Sequence, residues 1–195
     1  MADDATSVMI VGVGGQGTVL AGKLLGRLLL SEGFDVKVSE VHGMSQRGGS
    51  VVTYVRFGRK VYSPLIDKGG ADFIVAFEML EAARYIEWLK ATGKIVANTQ
   101  QIDPMSVLSG KECYPTGLEQ SIRAAGAHLV TLDCLSLARQ AGSVKAVNLV
   151  LLGCLSRFFE IHEDAWLAAI EDTVPAKFLE LNRRAFALGR KAASR

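Results

Sequence analysis

Gly12-x-Gly14-x-x-Gly17 is the first place in this chain where residue types and spacing could do chemistry. Between a strand and a helix, glycines at that spacing let backbone N–H groups reach an anion at the helix amino end, because no Cβ stands in the way. Gly15 and Gln16 fill the interval, and the Gln16 amide is more than a tight turn requires. Glu40 follows about 20 residues on, where a dinucleotide site sets an acid against a ribose hydroxyl. The same glycines would also serve a tight turn and close helix–strand packing with no ligand at all. A second loop, His42-Gly43-Met44-Ser45-Gln46-Arg47-Gly48-Gly49-Ser50, sets polar and charged side chains between glycines. Arg47 is its natural anion contact, a rigid fork of donors. Ser45 and Gln46 can donate or accept hydrogen bonds, and Gly48 and Gly49 keep the backbone open. The alternative is a solvated connection. His42 alone carries little, since a single histidine there is more often structural than a general base.

These loops need elements to hold them. Ser7–Val11 reads as a buried strand, and residues 18–31 as a helix with Leu20, Leu24 and Leu28 in one stripe beside Ala21, Leu25 and Leu29. Gly33 closes that helix, and residues 35–40 form a second strand. The second loop then leaves the same rim as the first, where ligands bind in open α/β sheets. Residues 51–57 and 60–63, joined by Gly58-Arg59, predict a tight antiparallel hairpin where a dinucleotide fold would carry a crossover helix. Strand–helix alternation resumes with a strand over 72–77, a helix over 78–90, and strands over 94–98 and 128–132. Helices follow near 135–141, over 144–159 and 164–171, and from Pro175 to about Ala193. Residues 103–117 lack a period and read as an excursion. The expectation is one domain over residues 1–195. It is a three-layer α/β/α, Rossmann-like fold with a mixed, mostly parallel sheet and an antiparallel hairpin. Glu78 and Asn98, at predicted strand ends, join the rim of the two loops.

Composition narrows the classes. The 195 residues carry 22 Lys+Arg against 20 Asp+Glu, a balance that predicts neither nucleic acid nor an anionic membrane as the main partner. Hydrophobic residues make up 49%, at the upper end of the ordinary soluble range, which hints at surface buried against a partner. Cys113, Cys134 and Cys154 stand about 20 residues apart with no C-x-x-C, so neither zinc nor an iron–sulfur cluster is expected here. Scattered, odd-numbered cysteines fit a reducing cytoplasm. The acidic start Met1-Ala2-Asp3-Asp4 lacks an apolar signal core. The apolar run Val147–Leu155 is too short for a bilayer.

The two loops in order, Gly12–Gly17 and Val41–Ser50, resemble the gamma-type domain of the 2-oxoacid:ferredoxin oxidoreductases, and within it the indolepyruvate branch. Ala71–Glu78, Asn98, Asn148 and the helix after Val174-Pro175 extend the resemblance over nearly the whole chain. It implies oxidative decarboxylation of a 2-oxoacid on thiamine diphosphate, with electrons passing through iron–sulfur clusters to ferredoxin and the acyl group to coenzyme A. This chain has no Gly-Asp-Gly that would start a thiamine diphosphate and magnesium motif, and no cysteine cluster. The resemblance therefore implies a larger partner subunit that carries those cofactors. What remains for this chain is to contact the partner, help close the substrate cavity, and hold an anionic moiety such as coenzyme A. The readings left open are a stand-alone nucleotide- or flavin-binding protein, a purely structural assembly module, and a homodimer of the isolated chain.

Overall fold

A computed structural model describes residues 5–42 and 49–193, with the His42 side chain outside that set. Six strands form one sheet in the order β2-β3-β1-β4-β5-β6. Along the chain they are β1 (Thr6–Val13), β2 (Asp35–His42), β3 (Ser50–Gly58), β4 (Ala71–Ala76), β5 (Leu89–Asn98) and β6 (His128–Leu132). β3 is antiparallel to both of its neighbours, and the other strands share one direction. The mixed, mostly parallel α/β expectation holds.

β1 shows why the sheet is covered on both faces. Its side chains alternate: Val8 and Ile10 enter one core, Met9 and Val11 the other, and all are buried. The first core lies under α1 (Thr18–Ser31), α5 (Cys134–Ala141), α6 (Val147–Leu155), α7 (Glu163–Thr173) and α8 (Leu179–Ala192). The second lies under α2 (Met79–Arg84) and α4 (Leu118–Ala124). A short α3 (Met105–Leu108) interrupts the stretch read as an excursion. The leucine stripe of α1 holds for Ala21, Leu24, Leu25, Leu28 and Leu29, which are buried, while Leu20 is only half-buried. α6 is apolar all round and buried along its whole length, as a helix between two layers must be.

Three sequence expectations need correction. The antiparallel pair is not residues 51–57 with 60–63 but β2 with β3, joined across the second loop. Both edges of β3 are taken, by β1 and β2, so no edge remains for residues 60–63. That segment is irregular and is tied down where Val61 N–H donates to Asp35 Oδ2 at 2.9 Å. The helix expected over 78–90 stops at Arg84. A 3-10 turn, Ile86–Trp88, follows and β5 begins at Leu89. The helix expected over 144–159 is α6 flanked by 3-10 turns at Val144–Ala146 and Ser156–Phe158. Among the described residues no helix is long and apolar enough to cross a membrane.

Candidate functional site

The first glycine loop joins β1 to α1 at the carboxyl end of the sheet. Gly15 and Gly17 take positive φ (+99° and +88°), which a side chain would strain. Gln16 turns back into the loop. Its Oε1 accepts from Val13 N at 2.7 Å and its Nε2 donates to Phe77 O at 3.1 Å. Gly12 is where this amide comes closest: a Cβ there would lie 2.9 Å from both Gln16 Oε1 and Phe77 Cβ. The inner side of the loop is thus filled by its own side chain.

Gly14 N–H donates to Gly49 O at 2.9 Å, and Val13 pairs with Ser50. The end of the second loop therefore rests on the first. Glu40 is exposed on β2 and borders the same hollow as Gly14, Gly15 and Gly17. Ser45, Gln46, Arg47 and Gly48 lie outside the described residues. Ser50 Oγ donates to the buried Glu81 at 2.5 Å, and Glu81 also takes Arg84 at 2.6 Å.

Asn98 and Glu78, both expected at the rim, sit there fully bonded. Asn98 Nδ2 donates to Phe77 O at 3.2 Å and its Oδ1 accepts from Cys134 N at 3.1 Å. Glu78 is 1% exposed; one oxygen caps α2 by accepting from Glu81 N at 3.0 Å, and the other accepts from Ile102 N at 3.2 Å and from the Tyr114 hydroxyl. Its carboxylate holds the rim together and is committed there. Burial, and then the Glu78 carboxylate, raise the Tyr114 phenol above the ordinary tyrosine value. A raised folded value means that its contribution is complete below about pH 10 and is lost as pH climbs through the folded value. Tyr114→Phe is expected to cost about 1 kcal/mol at pH 7. Urea unfolding of both proteins at pH 7 and above pH 10 checks this: the gap between them should narrow at the higher pH.

Residues that sequence reasoning did not assign to the site complete the rim: Gln100, Tyr114, Lys145 and Asn148. Asn148 carried a signal, as a polar residue within an apolar run. Cys134 and Cys154 are buried and their thiols are pushed up, the latter to about 12, by desolvation. Among the described residues no group of three or more His, Cys, Asp or Glu could hold a metal. With only Cys113 exposed, the donor set does not fit an iron–sulfur cluster.

Residues 7–192 match the family model for pyruvate ferredoxin/flavodoxin oxidoreductase. The chain belongs to this family. It is 43% identical over 193 residues to indolepyruvate oxidoreductase subunit IorB of Thermococcus kodakarensis, covering 96% of this chain and 95% of that one. It is 42% identical to the IorB subunit of Pyrococcus horikoshii over the same shares. The fold matches the gamma subunit of a keto/oxoacid ferredoxin oxidoreductase from Geobacter sulfurreducens, with a TM-score of 0.73, 23% identity, and coverage of 97% and 98%. This family member is thus a subunit of an oxidoreductase complex.

Proposed function

We propose that the chain is the small, cofactor-free subunit of a cytoplasmic indolepyruvate-type 2-oxoacid:ferredoxin oxidoreductase, built as one gamma-type domain. The end-to-end identity of 43% to an indolepyruvate oxidoreductase subunit carries this reading. In the assembled enzyme an arylpyruvate loses carbon dioxide, an electron pair passes to ferredoxin, and the acyl group joins the coenzyme A thiol. Thiamine diphosphate, magnesium and the iron–sulfur clusters belong to the larger partner. This chain closes the cavity with its two glycine loops and offers Arg47 to an anion of coenzyme A or to a carboxylate of the partner. Reconstitution tests it. The lone chain should be colourless and inactive, and turnover should appear on adding the thiamine- and cluster-bearing subunit. A lone chain that purifies with flavin or nucleotide would overturn the reading.

Arg47→Ala should leave the lone chain's melting temperature unchanged, because a charged residue between glycines carries little core packing. In the reconstituted enzyme it should lower turnover or coenzyme A affinity about tenfold or more, the loss of a charge-assisted hydrogen bond of about 1.5–3 kcal/mol. Arg47→Lys should not fully restore it, since an ammonium lacks the bidentate fork. Unchanged turnover and affinity would leave the loop a solvated turn.

A further inference from the structure

We propose that the open edge of β2 and the groove beside it form an interface with a second copy of this chain, joining two six-stranded sheets into one across a two-fold axis. β2 pairs with β3 alone, so its other edge has no partner among the described residues. It runs for eight residues in unbroken register, with no proline and no bulge to guard it. β6, the opposite edge, has only five residues, and Leu129 O already accepts from Arg123 at 2.8 Å. A groove of about 410 Å³ runs between β2 and α1. Val19, Leu30 and Val38 line it and are 43–59% exposed. Val41, 50% exposed, lies on the other face of the strand. Pairing of the edge with itself would cover apolar side chains on both faces.

Charge selects a second copy as the occupant. Glu40 and Arg27 both line the groove, both are exposed, and neither pairs with an opposite charge among the described residues. Arg27 donates to Asp172 O and Thr173 Oγ1, which are neutral. The two charges lie toward opposite ends. Glu40 borders the start of α1, beside Gly17 and Thr18. Gly26 stands level with Val38, since a Cβ there would meet Val38 Cγ2 at 3.1 Å, and Arg27 follows it toward the start of β2. Lys23 stands between them on α1, a second cation without a carboxylate partner. In a two-fold contact each patch meets itself. Antiparallel β2 strands with Val38 on the axis set Val36 of each copy opposite Glu40 of the other. Glu40 then lies at the Val36–Leu30 end of the second copy, within a helical turn of Arg27, and Val19 faces Leu30. An acidic end and a basic end complement each other twice under that axis. The two glycine-loop rims point in opposite directions, so each copy keeps its own rim for a larger subunit.

Analytical sedimentation of the full chain from about 1 μM to about 1 mM tests this. The mass is expected to rise with concentration toward twice 20.9 kDa. Val38→Lys sets two lysines together at the axis and should keep the chain monomeric throughout, with thermal unfolding unchanged at the lowest concentration. Glu40→Lys and Arg27→Glu each set like charges together twice and should each weaken the dimer at least about tenfold. Mixed in equal amounts, these two variants should dimerise again, because a mixed dimer has opposite charges at both contacts. If Val38→Lys does not fold, the mixing experiment decides alone. A monomer at every concentration would overturn the proposal, and if Val38→Lys then also failed to join the larger subunit, the edge would belong to that subunit. A dimer that survives Val38→Lys, or no rescue on mixing, would overturn it as well. Neither turnover nor the larger subunit enters the mass measurement, so dimerisation and the oxidoreductase reading can fail separately.

Discussion

Gly189→Ala should leave little folded chain. α6 and α8 cross so closely that a Cβ on Gly189 would lie 2.0 Å from Val150 O and 2.8 Å from Val150 C. The contact is reciprocal, for a Cβ on Gly153 would lie 2.1 Å from Phe186 O and 3.0 Å from Arg190 N. These obstacles are backbone atoms inside helices, so no rotamer change relieves them. The helices must move apart, and that opens the packing of Trp166 on Phe186, whose ring centroids are 5.7 Å apart. Alanine regains about 1 kcal/mol of helix propensity over glycine. Overpacking against a rigid wall costs more, here at least about 3 kcal/mol, at the severe end of such changes. Gly26→Ala is the control. It too is a helical glycine, but its Cβ would meet only Val38 Cγ2 at 3.1 Å. Urea unfolding should put Gly26→Ala within about 1 kcal/mol of the parent. A Gly189→Ala variant as stable as the parent would sink the close crossing.

How legible this fold was depends on where each instruction lies along the chain. β1, the glycine loop and α1 are contiguous, and each declares itself by local pattern: an apolar run, three glycines, a leucine stripe. β3 does not. Its period says strand, yet which strands it joins is decided by Val13 meeting Ser50 and His42 meeting Val51, register contacts that no local window contains. The segment after Glu78 misled for another reason. Ala82, Ile86 and Lys90 keep helical spacing, but Ile86, Trp88 and Leu89 pack onto the second core as the chain turns into β5. α4 went unseen because only Ile122 of its seven residues is fully buried, too little for a stripe.

The rim was half legible. Glycines mark where backbone must bend, so the first loop was found. What the side chains do there is a matter of which amide atoms are already spent. Gln16 was noticed as surplus to a turn, and its partner, Phe77 O, is 61 residues away. The way the Asn148 and Gln100 amides face is set by Leu149 N and Asn98 Nδ2, which donate to their oxygens. Those bonds exist only after folding.

Asn98→Leu is expected to destabilise the chain by about 3 kcal/mol. The side chain is 0% exposed, and leucine nearly matches its volume while stripping every polar contact. Cys134 N–H, which donates to Asn98 Oδ1 at 3.1 Å, would be left buried without an acceptor, and Phe77 O would lose one of its two amide donors. An orphaned buried donor alone costs about 1–3 kcal/mol. Gln16→Leu should cost about 2 kcal/mol, since Val13 N–H then loses its acceptor. The two amides share Phe77 O, so they should not act independently. Either single variant leaves that carbonyl one amide donor, and the double variant leaves it neither. The double loss should exceed the sum of the singles by about 0.5–1 kcal/mol. Urea unfolding of the four proteins measures the excess, and strict additivity would mean that the two amides do not meet at Phe77. If the excess is found, the carboxyl ends of β1, β4 and β5 and the start of α5 are held as one unit. The two amides then set the shape of the rim, and the glycine loop reaches any ligand or partner already in place.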